Sequence, residues 1–255
     1  VKPAKLKFGR ANAKLRKWWK KYHLATFSLP AGFTCPGARD CLARVGRHTG
    51  KLTDGKHTQF RCYAATAEAL FPNIRQGRWA NLEKLQACKS PVAMANLIVR
   101  SLPKKAKLVR IHQSGDFFSQ SYFDAWLIVA SILRPQITFY GYTKALPFWI
   151  ARLDSIPRNL KLVASRGGKF DHLIPVHNLR SALVVYTELA AQSARLQIDH
   201  DDSLLFDSDR DFAILLHGTQ PAGSIASEAW QEIKTNGSGG YKSDYFAHYA
   251  KAGGR

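Results

Sequence analysis

Cysteine and acid are what this sequence has least of. Only four of its 255 residues are cysteine and 18 are Asp or Glu, against 38 Lys and Arg. Four thiols do not make the disulfide framework of a small secreted protein. In a reducing compartment a spaced group of thiols points instead to metal binding or redox chemistry. No run of about eighteen apolar residues occurs, which argues against a membrane-spanning helix. The N-terminus lacks the apolar core of a secretory signal and is basic instead. A soluble intracellular protein with no membrane partner is expected. The shortage of acid leaves a formal net charge of +20, which bears on partners rather than on fold. Nucleic acid is the partner such a charge favours first.

Much of the positive charge lies at the start. Residues 1–21, VKPAKLKFGRANAKLRKWWKK, hold nine basic residues and no acid. Lys14, Arg16, Lys17, Trp18, Trp19, Lys20 and Lys21 form a candidate nucleic-acid surface, with the cations on phosphates and the indoles stacked on bases. The competing reading is a helix that docks its tryptophan face on the domain and leaves its charges in water. Either way residues 1–22 form a basic arm or helix, ahead of a core over 23–235 and a Gly-rich tail over 236–255. Oligomeric state, and the choice between DNA and RNA, have no signature here.

The core alternates between two patterns. HLATFSL (23–29), KLVRIHQ (107–113), QITFYGYT (136–143), LKLVAS (160–165), SALVVYT (181–187) and DFAILLHG (211–218) read as strands. Residues 63–71 read as a helix stopped by Pro72, and 90–102 as a helix with Ser90 as N-cap and Pro91 in its first turn. Helices over 119–133, 147–156, 188–196 and 224–234 follow their strands. About six β-then-α units in a row predict a single α/β domain with parallel strands and outer helices. Such a chain forms a doubly wound open sheet or an incomplete barrel, and in both the chemistry collects where strands end.

Those ends are chemically loaded. The first strand runs into the cysteine loop, 34–62. The second ends in HQSGDFFS, where Ser114, Gly115 and Asp116 offer close backbone approach and a carboxylate. His112 is either a pocket residue or a satisfied buried histidine. Tyr142, Thr143 and Lys144 end the third strand, Ser165 opens SRGG after the fourth, and His217 and Gln220 lie in HGTQPAG after the sixth. SRGG and HGTQPAG match no phosphate-binding fingerprint and read as turns. IDHDDSLLFDSDRD (198–211) holds six aspartates but lacks the glycine and the final glutamate of a calcium loop. It reads as a solvated acidic loop, with pairing to the basic surface as the minority alternative.

Five residues separate Cys35 from Cys41, twenty more precede Cys62, and Cys88 lies further on. Three readings stay open. Cys35, Cys41 and Cys62 would hold a four-iron cluster with one free iron, or a closed cluster if Cys88 supplied a fourth ligand. With His48 and His57, both inside the 42–61 insert, the thiols would make a zinc site. Or they are free buried thiols.

SLPAGFTCPGARDC, TDGKHTQFRCYAATAEALFPN, VRIHQSGDFFSQSYFDAWL, FYGYTKALPFWIARLDSIP and DFAILLHGTQPAGS together resemble the bacteriophage gene product 88 domain family, over most of residues 23–240. The likeness implies the cytoplasm of an infected bacterial host. A more distant likeness is to radical S-adenosylmethionine (SAM) iron–sulfur proteins. It rests on the cysteine loop after strand one, on Cys62-Tyr63-Ala64, and on Gly115-Asp116 after strand two. That resemblance implies a parallel, incomplete (β/α)6 barrel and a 4Fe-4S cluster on Cys35, Cys41 and Cys62. It also implies a SAM site drawn from Tyr63, His112, Ser114, Gly115, Asp116, Tyr142, Thr143, Lys144, Ser165, His217 and Gln220. A radical SAM-type enzyme acting on nucleic acid is the function it suggests. The alternative is a non-enzymatic nucleic-acid-binding protein with a structural zinc or closed cluster.

Overall fold

The computed structural model describes residues 4–10, 12 and 14–235; the tail reading, 236–255, lies outside the described residues. The chain enters as strand β1 (Gly9–Arg10) and helix α1 (Arg16–Tyr22), then forms β2 (Ala25–Ser28). A small antiparallel hairpin follows, β3 (Ala43–Val45) with β4 (Leu52–Asp54). Three helices come next: α2 (Tyr63–Leu70), α3 (Pro72–Gln86) and α4 (Pro91–Ser101). Alternation then sets in with β5 (Leu108–Ser114), α5 (Gln120–Ile128), β6 (Thr138–Thr143), α6 (Leu146–Ile150), β7 (Leu160–Ser165), α7 (Leu173–Val176) and β8 (Ser181–Val185). The described chain closes with α8 (Glu188–Ser193), β9 (Gln197–Ile198), α9 (Leu204–Asp207), β10 (Phe212–Leu215) and α10 (Ile225–Thr235).

The main sheet has the order β1-β2-β5-β6-β7-β8-β10-β9. Only the β1–β2 pairing is antiparallel. The six long strands therefore lie side by side in chain order with no reversal, which removes the doubly wound alternative and its switch point. Among the described residues no pairing joins the two ends of the sheet, so it is open. It is also strongly curved. One cavity of about 650 Å³ touches Phe8, Thr26 and Ser28 at the first edge and His217, Thr219 and Trp230 near the last.

Alternate strand residues serve the two faces. Phe27, Val109, Ile111, Phe139 and Leu162 pack with Ile98 of α4 and Trp126 of α5 in the outer core. Leu24, Leu108, Tyr140, Val163 and Phe212 point the other way and meet Leu15 and Leu205. The expected caps are present: Ser90 accepts from Ala93 N at 3.2 Å and Ser119 from Tyr122 N at 3.2 Å. Pro72 is a correction. It does not only stop α2; it occupies the first turn of the fifteen-residue α3, where a missing N–H costs nothing. Helix 119–133 also differs, passing into a π-helical turn over Val129–Leu133.

Leu6 and Lys7, ahead of β1, are stitched down on the helices. Leu6 N donates to Ser101 Oγ at 2.8 Å, and Asn81 of α3 bonds both the N–H and the carbonyl of Lys7.

Candidate functional site

The loop carrying Cys35 and Cys41 lies across the ends of β6 and β7. Its Gly37 sits so close to Lys144 that a Cβ would stand 1.9 Å from the Lys144 carbonyl oxygen. Lys169 N donates to Gly37 O at 2.9 Å, and Asp40 N donates to Gly167 O at 3.0 Å. Gly115, at φ +81, adopts a left-handed backbone, and a Cβ there would meet Thr34 Oγ1 at 2.5 Å. Glycine at both places lets the loop rest directly on backbone.

The twenty-residue insert leaves and returns at one point. Its β3–β4 hairpin is closed by Gly55 N on Leu42 O at 2.7 Å, and Asp40 O accepts from both Gln59 N, 2.7 Å, and Phe60 N, 3.1 Å. Gln220 Oε1 accepts from Arg61 N at 2.7 Å, and the Arg61 guanidinium pairs with Asp54. Cys62 is thus delivered beside Cys41, as the N-cap residue of α2.

All three thiol residues line one cavity of about 190 Å³ at the C-terminal ends of the strands. Tyr63, His112, Ser114, Gly115, Asp116, Tyr142, Lys144, Ser165 and His217 line it too. Thr143 and Gln220 do not: Thr143 is buried and donates to Asp116, while Gln220 braces Arg61.

Burial pushes the Cys35 thiol well up, with Asp116, Cys62 and Cys41 adding to the rise. Burial takes Cys41 to about 11 despite nearby Lys144. Cys62 is also raised by burial, against the opposing N–H groups of Ala65 and Ala64 at the helix start. All three thiols are thus held toward the protonated form, chiefly by burial.

The strand-end polar groups mostly hold one another. Asp116 accepts from Phe117 N at 2.7 Å, Thr143 Oγ1 at 2.6 Å and Lys144 N at 2.8 Å, which ties β5 to β6. Burial nevertheless lifts its pKa to about 6. Lys144 Nζ in turn donates to Ser165 O, Ser165 Oγ and Arg166 O, which ties β6 to β7. Tyr63 donates to Gln113 O at 2.5 Å and packs its ring on His217, centroids 4.6 Å apart. His217 is pushed down by burial to about 4 and is neutral.

His112 resolves as a buried histidine on the cavity wall. Two extra residues bulge β5 between its pairings with Thr26 and Ser28, and His112 takes φ +67 there. Its Nε2 bonds Tyr122 at 3.0 Å, and burial lowers its pKa to about 3. SRGG is a turn as expected: the N–H groups of Gly167 and Gly168 are taken by Asp171.

Cys88 does not join the set. It follows α3, its thiol donates to Lys84 O, and it does not line the cavity. His48 and His57 are exposed on the hairpin and also lie away from it. Among the described residues no three His, Cys, Asp or Glu side chains gather tightly enough to hold a single metal ion. A cluster differs, because each thiolate meets its own iron. Three soft thiol donors on one cavity wall are the donor set that a 4Fe-4S cluster takes, whereas structural zinc takes four ligands.

The acidic segment is a further correction. Its first half is not solvated: Asp199 and Asp202 are buried and pair with the N-terminal arm, whose Lys14 lines the cavity, while Asp207 and Asp209 stay exposed. Lys14 pairs with Asp202 at 2.9 Å, and Lys17 with Asp201 at 2.5 Å. Trp18 donates to Asp201 O at 2.6 Å and packs on Phe206. Burial alone would raise Asp202, but Arg110 and Lys14 draw it down to about 2. Lys14 and Trp18 are therefore docked against the domain, while Arg16, Trp19, Lys20 and Lys21 stay exposed. Arg110 was not anticipated as a site residue, although a charged residue inside LVRIHQ was a visible anomaly.

A family model described as gene product 88 matches residues 4–236. This chain belongs to the gene product 88 family. The gene 88 protein of Mycobacterium phage D29 is 34% identical over 124 residues, 47% of each chain. The gene 88 protein of Mycobacterium phage L5 is 30% identical over 139 residues, 51% of this chain and 54% of the relative. The chain spans about half the length of these curated relatives. No solved structure matches it. No helix among the described residues is long and apolar enough to cross a membrane.

Proposed function

We propose that this gene product 88 protein holds a 4Fe-4S cluster on Cys35, Cys41 and Cys62, in a curved, barrel-like α/β sheet. We propose further that the open iron faces a SAM site beside Ser114–Gly115–Asp116 and that the substrate is nucleic acid. One observation carries the reading. Three thiols that the sequence scatters over 28 positions line a single cavity with the Gly115-Asp116 strand end. The relatives' names add nothing to the SAM likeness, which rests on that placement and on the unreversed strand order.

When bound, such a cluster supplies single-electron chemistry to SAM. The chain's own residues do the rest. The N–H groups at the start of α2 favour the Cys62 thiolate. Neutral His217 under Tyr63 forms an uncharged wall toward the larger cavity, which shares both residues. The Asp116–Thr143–Lys144–Ser165 chain of bonds fixes the three strand ends that a ligand would touch. For nucleic acid, the net charge of +20 and the exposed Arg16, Lys20 and Lys21 supply the attraction, with Trp19, 41% exposed, available to stack.

Anaerobic isolation tests the centre. About four irons per chain are expected, lost in Cys35→Ala, Cys41→Ala and Cys62→Ala and kept in Cys88→Ala. Zinc, no metal, or iron loss in the Cys88 variant would refute the ligand set. SAM cleavage on reduction is the expected activity; a loaded, reduced protein that leaves SAM intact would reduce the site to a structural cluster. Changing Arg16, Lys20 and Lys21 together to Gln should lower the salt slope of duplex binding by up to about 2.7, at roughly 0.9 per phosphate contact. An unchanged slope removes this face from the interface.

A further inference from the structure

The floor of the thiol cavity holds a cation that its neighbours do not satisfy. Arg110 lies in the middle of β5, is 9% exposed, and lines the cavity. Its Nε stands 3.2 Å from Asp202 Oδ2, an ionic contact without hydrogen-bond geometry, and that nitrogen is buried without a hydrogen-bond partner. It also lies over the face of Tyr142, 5.4 Å away, with Tyr63 and Tyr140 nearby. A guanidinium carries five N–H donors, and leaving the buried Nε–H unused is costly. The nearby carboxylates are already engaged. Asp202 accepts from Lys14 at 2.9 Å, Tyr140 at 3.1 Å and Tyr142 at 3.4 Å. Asp199 accepts from Tyr142 at 3.4 Å and Asp201 N at 3.3 Å.

We propose that Arg110 is an anion-binding residue, whose planar fork takes a carboxylate or phosphate group of a small molecule reaching into the thiol cavity. Lys14, which lines the same floor, adds a second positive charge beside it. Asp202 acts as a positioning residue, anchoring Nε so that the terminal nitrogens remain for the ligand. Arginine suits this role because its fork matches both anions in two-point contact, whereas lysine offers a point charge. The proposal does not depend on what the three thiols hold, so its failure and that of the cluster reading are separate results.

The test is a calorimetric titration of the full-length chain with acetate and with inorganic phosphate, ionic strength being held constant with chloride. Saturable binding of at least one is expected, and the tighter of the two identifies the ligand group. Arg110→Gln and Arg110→Lys should each weaken it at least tenfold while keeping the wild-type far-UV spectrum. Binding by neither anion overturns the proposal, as does undiminished binding in a folded Arg110 variant. If both variants fail to fold, the wild type decides through its ¹⁵N-arginine spectrum. Phosphate or acetate should then move a slowly exchanging Nε–H signal saturably, since a buried group exchanges slowly. No such movement overturns the assignment.

Discussion

Replacing Gly37 by alanine perturbs the thiol site without touching a thiol. The new Cβ would lie 1.9 Å from Lys144 O, whereas ordinary contact begins at 3.4 Å, so something must yield by about 1.5 Å. Lys144 is the less able to move. Its N–H is fixed on Asp116 and its ammonium on the Ser165 and Arg166 carbonyls. The cysteine loop must therefore lift, carrying Cys35 and Cys41 away from Cys62 and breaking the Lys169–Gly37 bond of 2.9 Å. Overpacking of this kind costs about 1–3 kcal/mol. Gly37 is not in the left-handed region, so backbone strain does not confuse the result. Iron per chain after anaerobic reconstitution, together with the urea midpoint, reads out both effects. We expect a lower midpoint and loss of most iron. Gly77→Ala is the control: its Cβ meets nothing nearer than Lys7 Cδ at 3.7 Å, and inside α3 it should stabilise by about 1 kcal/mol with iron unchanged. Full iron and wild-type stability in Gly37→Ala would refute the argument that this contact places the loop.

Asp116 gives a pH prediction. Its folded pKa of about 6 stands above an unfolded value of about 3.9, so the native state holds the proton more tightly. Its contribution is fully present below pH 4 and is lost as pH rises through 6, amounting to about 3 kcal/mol. Asp116→Asn should flatten that part of the stability curve in urea titrations between pH 4 and 7; an unchanged slope would show that other groups produce it. A second prediction concerns Arg78, whose guanidinium donates to buried Glu68 at 2.7 Å and also to Ala64 O. Arg78→Met should cost about 3–5 kcal/mol by leaving a buried carboxylate without its counter-charge, measured by denaturation. Glu68→Gln in the same chain should recover part of it, and no recovery would count against the pairing.

Periodicity showed the six strands clearly because each is an apolar run flanked by polar or turn residues. Ser90 and Ser119 were legible for the same local reason. Helix α3 was not, since PNIRQGRWANLEKLQ contains a glycine, has little apolar periodicity, and begins with a proline that also serves as a stop signal. The first half of the acidic segment was misjudged because the partners of Asp202, Lys14 and Arg110, lie far away in the chain, and charge pairing through space leaves no local pattern. At the site, Cys35, Cys41, Cys62 and the Ser114–Asp116 strand end were legible together. Sequence could not separate lining residues from braces, such as Thr143 and Gln220, because both kinds sit at strand ends and are polar. Nor could it reveal that Arg110 Nε is buried without a hydrogen-bond partner, which is a property of packing.

The hairpin between Cys41 and Cys62 has a consequence for how such proteins are found. Its two feet meet at the Asp40 carbonyl, so the number of residues between them is decoupled from the separation of the thiols. Any excursion that closes on itself at that clamp would return the chain to the same place. A search keyed to fixed intervals between cysteines passes over chains built this way. What should recur instead is the clamp, the glycine resting on a backbone carbonyl, and a cysteine at the start of a helix. For the same reason the exposed tip residues, His48 and Thr49, are the natural place to splice in a tag or a reporter loop without moving a thiol.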